Sequence, residues 1–236
     1  MTSYGVRARV LPVLLVVIPM AYYAVVLVPI SVDWRGLGGI PFAALVAFVV
    51  DQLGRDRGQR LQSSLWDSWG GPPTTKLLRH REGENNPILL EKRHAALRAK
   101  TAVLLPDRDQ ELASPDDADA KYEAAVSIIR TLTYDRKKFP LVFIENCNYG
   151  FRRNCLGLRR LGILFASISI AIGASLVTLT LLDLLKFPLW AAVIGIGISF
   201  MFACFWVLVV SSLWVKAAAF SYAERLLDSA NFAGPS

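Results

Sequence analysis

The chain has 236 residues, of which 54 % are hydrophobic; its formal net charge is +7 and its mean hydropathy +0.41. That apolar content is gathered in blocks toward the two ends instead of being spread as amphipathic stripes, which excludes a wholly water-soluble protein. The basic excess fits the Lys and Arg that collect beside membrane spans, so no specific nucleic-acid binding is expected, and three cysteines with no Cys-x-x-Cys pair argue against a disulfide framework or a zinc site.

Arg7 and Arg9 precede an uncharged run from Val10 to Ile30, long enough at 1.5 Å per residue to cross about 30 Å of hydrocarbon. No small-residue cleavage site follows it, so it reads as an uncleaved signal anchor. Asp33, Trp34 and Arg35 lead into a Gly-rich turn, and the next apolar stretch, Ile40 to Val50, is short. A tilted crossing that borrows residues at both ends and a re-entrant loop both fit it, with crossing favoured. Residues 1–53 are thus expected to form an N-terminal transmembrane hairpin.

Residues 54–160 are ordinary in polarity. Leu61, Leu65, Trp66 and Trp69 repeat at helical spacing until Gly70-Gly71-Pro72-Pro73, and a short helix is expected to restart near Thr74. Asn86 before Pro87 reads as an N-cap with proline at the first helical position, with Leu90, Leu97 and Leu104 on one face before Pro106. Asp107 to Asp119 is acidic and poor in large apolar residues, and reads as a solvated linker without function. Ser114, Pro115 and Asp117 open a helix whose apolar stripe is Ala118, Tyr122, Ala125, Val126, Ile129 and Leu132. After Pro140, Leu141 to Ile144 fits either a short buried strand or the start of a helix leading into the next span; the helix is favoured because no partner strand is visible.

Leu161 to Leu182 and Phe187 to Val215 are each long enough to span, with a tight hairpin at Asp183, Lys186 and Pro188. Residues 161–215 therefore read as a C-terminal transmembrane hairpin and residues 216–236 as a cytosolic tail. Arg55, Arg57 and Arg60 after the second span, and Arg152, Arg153, Arg159 and Arg160 before the third, put both termini and the middle domain in the cytosol. The expected fold is an all-α membrane protein in which two N-terminal and two C-terminal transmembrane helices flank a mostly helical cytosolic domain.

Chemistry is sparse. There is no nucleophile elbow, His-Glu-x-x-His, Walker loop or Gly-x-Gly-x-x-Gly. His80 lies among basic residues and His94 on a leucine face, where a packing role outweighs that of a base or ligand. No catalytic residue, metal or cofactor is expected. The candidate ligand site is Trp69, Gly70, Gly71, Thr74, Thr75, Lys76, Arg79 and Arg81, where glycines, hydroxyls and cations would suit an anionic small ligand; the competing reading is a rigid capped turn. Tyr149, Arg152 and Arg153 mix aromatic and cationic groups ahead of the third span, as an interfacial anchor or a coupling element. Ser167, Ala171 and Ser175 make a small-residue stripe suited to helix packing in a homo-oligomer, with pore lining the alternative.

Two words, Trp69-Gly70-Gly71-Pro72-Pro73-Thr74-Thr75 with Arg79-His80-Arg81, and Asn148-Tyr149-Gly150-Phe151-Arg152-Arg153-Asn154 with Leu156-Gly157-Leu158, resemble those in a group of uncharacterised bacterial four-helix membrane proteins. The resemblance implies a multi-pass protein of the bacterial inner membrane and carries no activity with it. Three functional readings follow from the architecture. The first is an oligomeric membrane effector or channel-like protein, of stress or defence, whose cytosolic domain senses a ligand or a cytosolic protein partner. The second is a non-catalytic scaffold recruiting such a partner. The third is a membrane-surface enzyme on lipid or nucleotide, with Glu145 as base.

Overall fold

The computed structural model describes residues 3–27, 58–83 and 85–231, and among these every regular element is helical. After a short turn at Ser3–Gly5 come α1 (Val6–Leu27, π-helical over Val6–Val10), α2 (58–68), α3 (Pro73–Lys76), α4 (Pro87–Thr101), α5 (Arg108–Ala113), α6 (Pro115–Leu132), α7 (Pro140–Leu181), α8 (Leu189–Val209, π-helical over Phe205–Val209) and α9 (Ser212–Ser229). The described residues fall into two compact units. One holds those of residues 1–61 with Gly150–Val215; the other holds Gln62–Tyr149 and the residues from Lys216 onward.

In the first unit, α1, α7 and α8 are long and apolar enough to cross a membrane, and only 28 %, 28 % and 22 % of their most apolar windows is buried inside the molecule. The rest of that surface is apolar and outward-facing, as a lipid environment requires. Three spans are therefore found among the described residues, where four are expected; the second, Ile40 to Val50, lies outside them. The helices pack around two cores. Val13, Val16, Leu158, Phe202 and Trp206 form one core, and Tyr23, Leu176 and Ala192 another. Gly162 is where Trp206 lies against α7, and Gly173 and Gly195 make the slot that takes the Tyr23 ring, so a Cβ at any of the three would strike an aromatic side chain.

The fourth apolar run does not continue to Val215 as one helix. At Phe205–Val209 the hydrogen bonding widens, with Val210 N–H reaching Phe205 O (3.3 Å), and Val210 turns extended at ψ 98°. The carbonyls freed at such an end need donors. Arg159 of α7 supplies them, with Nε to Trp206 O (3.0 Å) and Nη2 to Val207 O (2.9 Å). An unbroken apolar sequence carries no mark of this break.

The second unit is built on Leu78, Leu97, Leu105, Tyr122, Ala125, Ile129, Val142, Leu226 and Leu227. α4 begins as expected: the Asn86 side chain accepts N–H bonds from Ile88 (3.0 Å) and Leu89 (3.2 Å), and Pro87 stands at the first position. It ends at Ala102, in a left-handed conformation (φ 55°), and this turns the expected face: Leu104 is 84 % exposed, while Leu105 enters the core. Asp107 to Asp119 is not a linker. Asp107 and Gln110 form a reciprocal capping box that opens α5, and α6 follows directly from Ser114. Nor is the segment after Val215 a tail, since α9 runs on to Ser229 and buries Leu226 and Leu227 completely. The helix favoured after Pro140 is present as the first turn of α7.

Candidate functional site

The turn that ends α2 is made by two glycines at positive φ, Gly70 (82°) and Gly71 (127°), a region side chains disfavour. The space left by the missing Cβ of Gly71 is taken by a guanidinium, and that of Gly70 faces Lys76 Nζ. Arg79 Nη1 donates to Gly70 O (2.6 Å), and a Cβ on Gly71 would lie 2.7 Å from Arg79 Nη2. α3 follows with Pro73 at its first position, and Asn85 closes the segment by donating Nδ2 to the carbonyls of Lys76 (2.9 Å) and Arg79 (3.0 Å).

Every cation of the expected anion site faces a carboxylate of the chain. Lys76 Nζ lies 3.3 Å from Glu82 Oε1, which also accepts from Arg79 Nη1 (3.2 Å). Arg79 forks onto Asp119 through Nε to Oδ1 (3.0 Å) and Nη2 to Oδ2 (2.7 Å). The same Oδ2 accepts from Arg81 Nη2 (2.7 Å), whose Nη1 donates to Glu111 Oε1 (3.0 Å). The result is an alternating row, Lys76, Glu82, Arg79, Asp119, Arg81, Glu111, formally neutral, with the two-pronged arginine geometry that carboxylates match best.

Glu111 ends the row inside the protein, with its side chain wholly buried. It accepts from the backbone N–H groups of His80 (2.8 Å) and Arg81 (3.1 Å), from the Arg81 guanidinium, and from the Tyr122 hydroxyl (2.7 Å). Burial alone would raise its pKa; the Tyr122 and backbone hydrogen bonds and the Arg81 charge outweigh it, and the carboxyl is held below its ordinary value. Asp119 is held low in the same way, by Arg79 and Arg81 against burial. Tyr122 is pushed up, first by burial and then by its bond to Glu111. His94 donates its Nε2–H to Leu78 O (2.8 Å) and touches the rings of His80 and Tyr122, with centroids 4.8 and 5.5 Å away. Its pKa falls to about 4, chiefly through burial, with the His80 and Arg98 charges adding and the Leu78 carbonyl and Glu111 opposing.

This arrangement holds charge in place. Glu111 is saturated by donors and kept ionised, unsuited to taking up a proton as a general base. Among the described residues no group of three or more His, Cys, Asp or Glu side chains is placed to hold a metal ion. Of the remaining expected site residues, Trp69, Thr74 and Thr75 are buried, at 6 %, 8 % and 0 % exposure, so neither the indole face nor the two hydroxyls front solvent. The structure thus brings Gly70, Gly71, Lys76, Arg79 and Arg81 together as a carboxylate-filled network. Glu82, Glu111, Asp119 and Tyr122, which complete it, were not among the expected site residues; Glu111 and Asp119 fell in the acidic stretch read as a linker, and Tyr122 in the apolar stripe of the helix after it.

The second word is also accounted for by packing. Tyr149 is buried and stacks on Tyr222, with centroids 6.3 Å apart. Gly150 leaves room for Tyr4 and Ala8, and Asn154 Nδ2 donates to Ala8 O (2.7 Å). Arg152 donates to Trp214 O (3.0 Å) and lies over the Trp214 ring, while Arg153 is half-buried. Ser167, Ala171 and Ser175 are exposed along α7. Comparison with protein-family models, with curated proteins and with solved structures found no match to the chain.

Proposed function

We propose that the chain is a homo-oligomeric, multi-pass protein of a bacterial inner membrane, with both termini and the polar unit in the cytosol, in which the polar unit receives a ligand or partner and acts on the bilayer. The observation that carries this is α7. One helix, Pro140–Leu181, contributes Val142 to the polar unit's core and Leu158 and Leu176 to the apolar cores, so a rearrangement of the first has a hydrogen-bonded route to the others.

A fourth crossing by the segment containing Ile40 to Val50 is supported by the ends of the chain on either side of it. α1 brings Tyr22 to Ala191 O (2.8 Å) and Tyr23 to Gly173 shortly before Leu27, whereas Gly58 fits against Asn154. Asn154 and Gly173 are about 28 Å apart along α7 at 1.5 Å per residue, close to the thickness of the hydrocarbon core. The arginines at 152, 153, 159 and 160 support the cytosolic assignment of the end near Asn154. The exposed Ser167, Ala171 and Ser175 support close helix approach between copies.

A second reading, a scaffold that recruits a partner without perturbing the membrane, is favoured by the completeness of the charge network: a small anion would have to displace Glu82, Asp119 or Glu111, and a protein partner would not. The test is inducible expression in a bacterium loaded with a membrane-potential dye, alone and with the native neighbouring genes, beside a Ser167→Leu/Ser175→Leu variant. Depolarisation lost in the variant together with its oligomer size on detergent chromatography supports the effector. Absence of depolarisation under every condition leaves the scaffold.

A further inference from the structure

The cations of the charge network are spent within the chain, and three in another cluster, Arg130, Lys137 and Lys138, are not. From Arg130 to Lys138, at the turn joining α6 to α7, four basic residues stand against a single acid, Asp135. Arg130, Lys137 and Lys138 are exposed and form no ion pair with any described residue. Tyr134 is 90 % exposed, and aliphatic side chains flank it on both helices, Leu132 at 44 % and Leu141 at 58 %. The turn itself is firmly built. Thr133 Oγ1 donates to Ile129 O (2.9 Å), Asp135 Oδ1 accepts from Lys137 N (2.8 Å), and Phe139 N donates to Asp135 O (2.9 Å), with Phe139 packed on the core.

From this surface we propose that the α6–α7 turn is the docking site for a protein partner bearing an acidic segment with interspersed aliphatic residues. The proposal deepens the reading of the polar unit as a receiver of a partner and rests on it. Charge complementarity supplies the sign: an excess of cations without partners steers an acidic surface toward it and fixes its register. The apolar content selects the class. Single-stranded nucleic acid wants a succession of aromatic platforms for its bases, and this turn presents one exposed ring among aliphatic side chains. Tyrosine is enriched among the anchors of protein interfaces. A preformed turn also holds these side chains in place before binding, which lowers the ordering cost.

The experiment uses the full chain in detergent micelles and fluorescence anisotropy with three labelled probes of equal charge: a peptide alternating Glu pairs with Leu, a peptide of Glu and Gly, and oligothymidylate. The Glu/Leu peptide is expected to bind most tightly. Lys137→Glu/Lys138→Glu should weaken it at least about tenfold and Tyr134→Ala about three- to tenfold, as expected for charge reversal and loss of an anchor, with Lys92→Glu/Arg108→Glu on the exposed surface of α4 and α5 changing it less than about twofold. No binding of the Glu/Leu peptide, an equal loss in the Lys92/Arg108 control, or oligothymidylate binding as tightly as the peptide each overturns the proposal. Because binding is read without any membrane signal, intact binding with no depolarisation sinks only the effector reading, and depolarisation without binding sinks only the docking site.

Discussion

Tyr122 donates its hydroxyl to the Glu111 carboxylate across 2.7 Å, joining the centre of α6 to the short helix before it. That bond closes a cradle whose other walls are the backbone N–H groups of His80 and Arg81 and the Arg81 guanidinium. Two consecutive backbone donors with an arginine and a hydroxyl are what an anion-binding site offers. Here the anion is part of the chain.

Glu111→Ala should therefore be among the most damaging single changes in the polar unit. It strands two backbone donors and the Tyr122 hydroxyl in the interior, and a loss of about 3–5 kcal/mol is expected for breaking a buried ion pair. Tyr122→Phe removes one donor to the same carboxylate and should cost about 1–3 kcal/mol. Thermal unfolding of the detergent-solubilised chain, followed by tryptophan fluorescence, ranks the two. A Glu111→Ala protein that melts with the wild type would show that the cradle contributes nothing to the fold.

Acid should destabilise the polar unit in two stages. His94 binds its proton more weakly folded than unfolded, with a pKa near 4 against 6.5, so between those values the unfolded chain takes up more protons and stability falls as pH drops. The full loss, complete below pH 4, is about 3 kcal/mol from that gap. Glu111 and Asp119 are held low when folded, so their contribution is present above the ordinary carboxyl range and disappears as pH falls through their lowered values. In His94→Gln the decline between pH 6.5 and 5 should flatten while the steeper one at lower pH persists. An unchanged melting curve against pH across that upper window would remove His94 from the account.

Local signals in the sequence were legible where their cause is local. Asn86 with Pro87, the proline at 140, and the stripe from Ala118 toward Leu132 each set a helix through neighbours within a turn or two, and the structure has those helices, although Leu132 at the end of its helix is 44 % exposed and only Ala118, Tyr122, Ala125, Val126 and Ile129 of the stripe are buried. The network was half legible. Gly70, Gly71, Lys76, Arg79 and Arg81 announce a place for an anion, but Glu111 and Asp119 lie 30 to 40 residues away along the chain, and composition reads an acidic stretch as solvated when its partners are that remote. Apolar runs likewise show length without breaks, which is why the turn at Val210 was hidden; the donor that satisfies the carbonyls before it, Arg159, is on another helix.

The same reasoning applies to the C-terminal helix. Leu226 and Leu227 have no exposure and share a core with Leu78, Leu97 and Tyr122. Leu226→Ala and Leu227→Ala should each cost about 2–5 kcal/mol, as for large-to-small changes in a packed core. Limited proteolysis of each variant in detergent should give faster cleavage within residues 62–149 than in the wild type. Identical digestion patterns would mean that α9 adds nothing to that unit's stability.

Within the apolar unit, Gly162 and Gly197 stand in opposite surroundings. Gly162 lies against the buried Trp206, so any Cβ there collides with the indole, whereas Gly197 faces open space on the outer side of α8. Gly162→Ala should force either α7 or the indole to move, at about 1–3 kcal/mol for overpacking, and should lower both the yield of folded protein and its melting temperature in detergent. Gly197→Ala should leave both unchanged or slightly raised, because alanine favours the helix and meets nothing. The contrast separates a packing effect from a general intolerance of substitution: equal losses at the two positions would mean that the Trp206 contact is not what constrains α7.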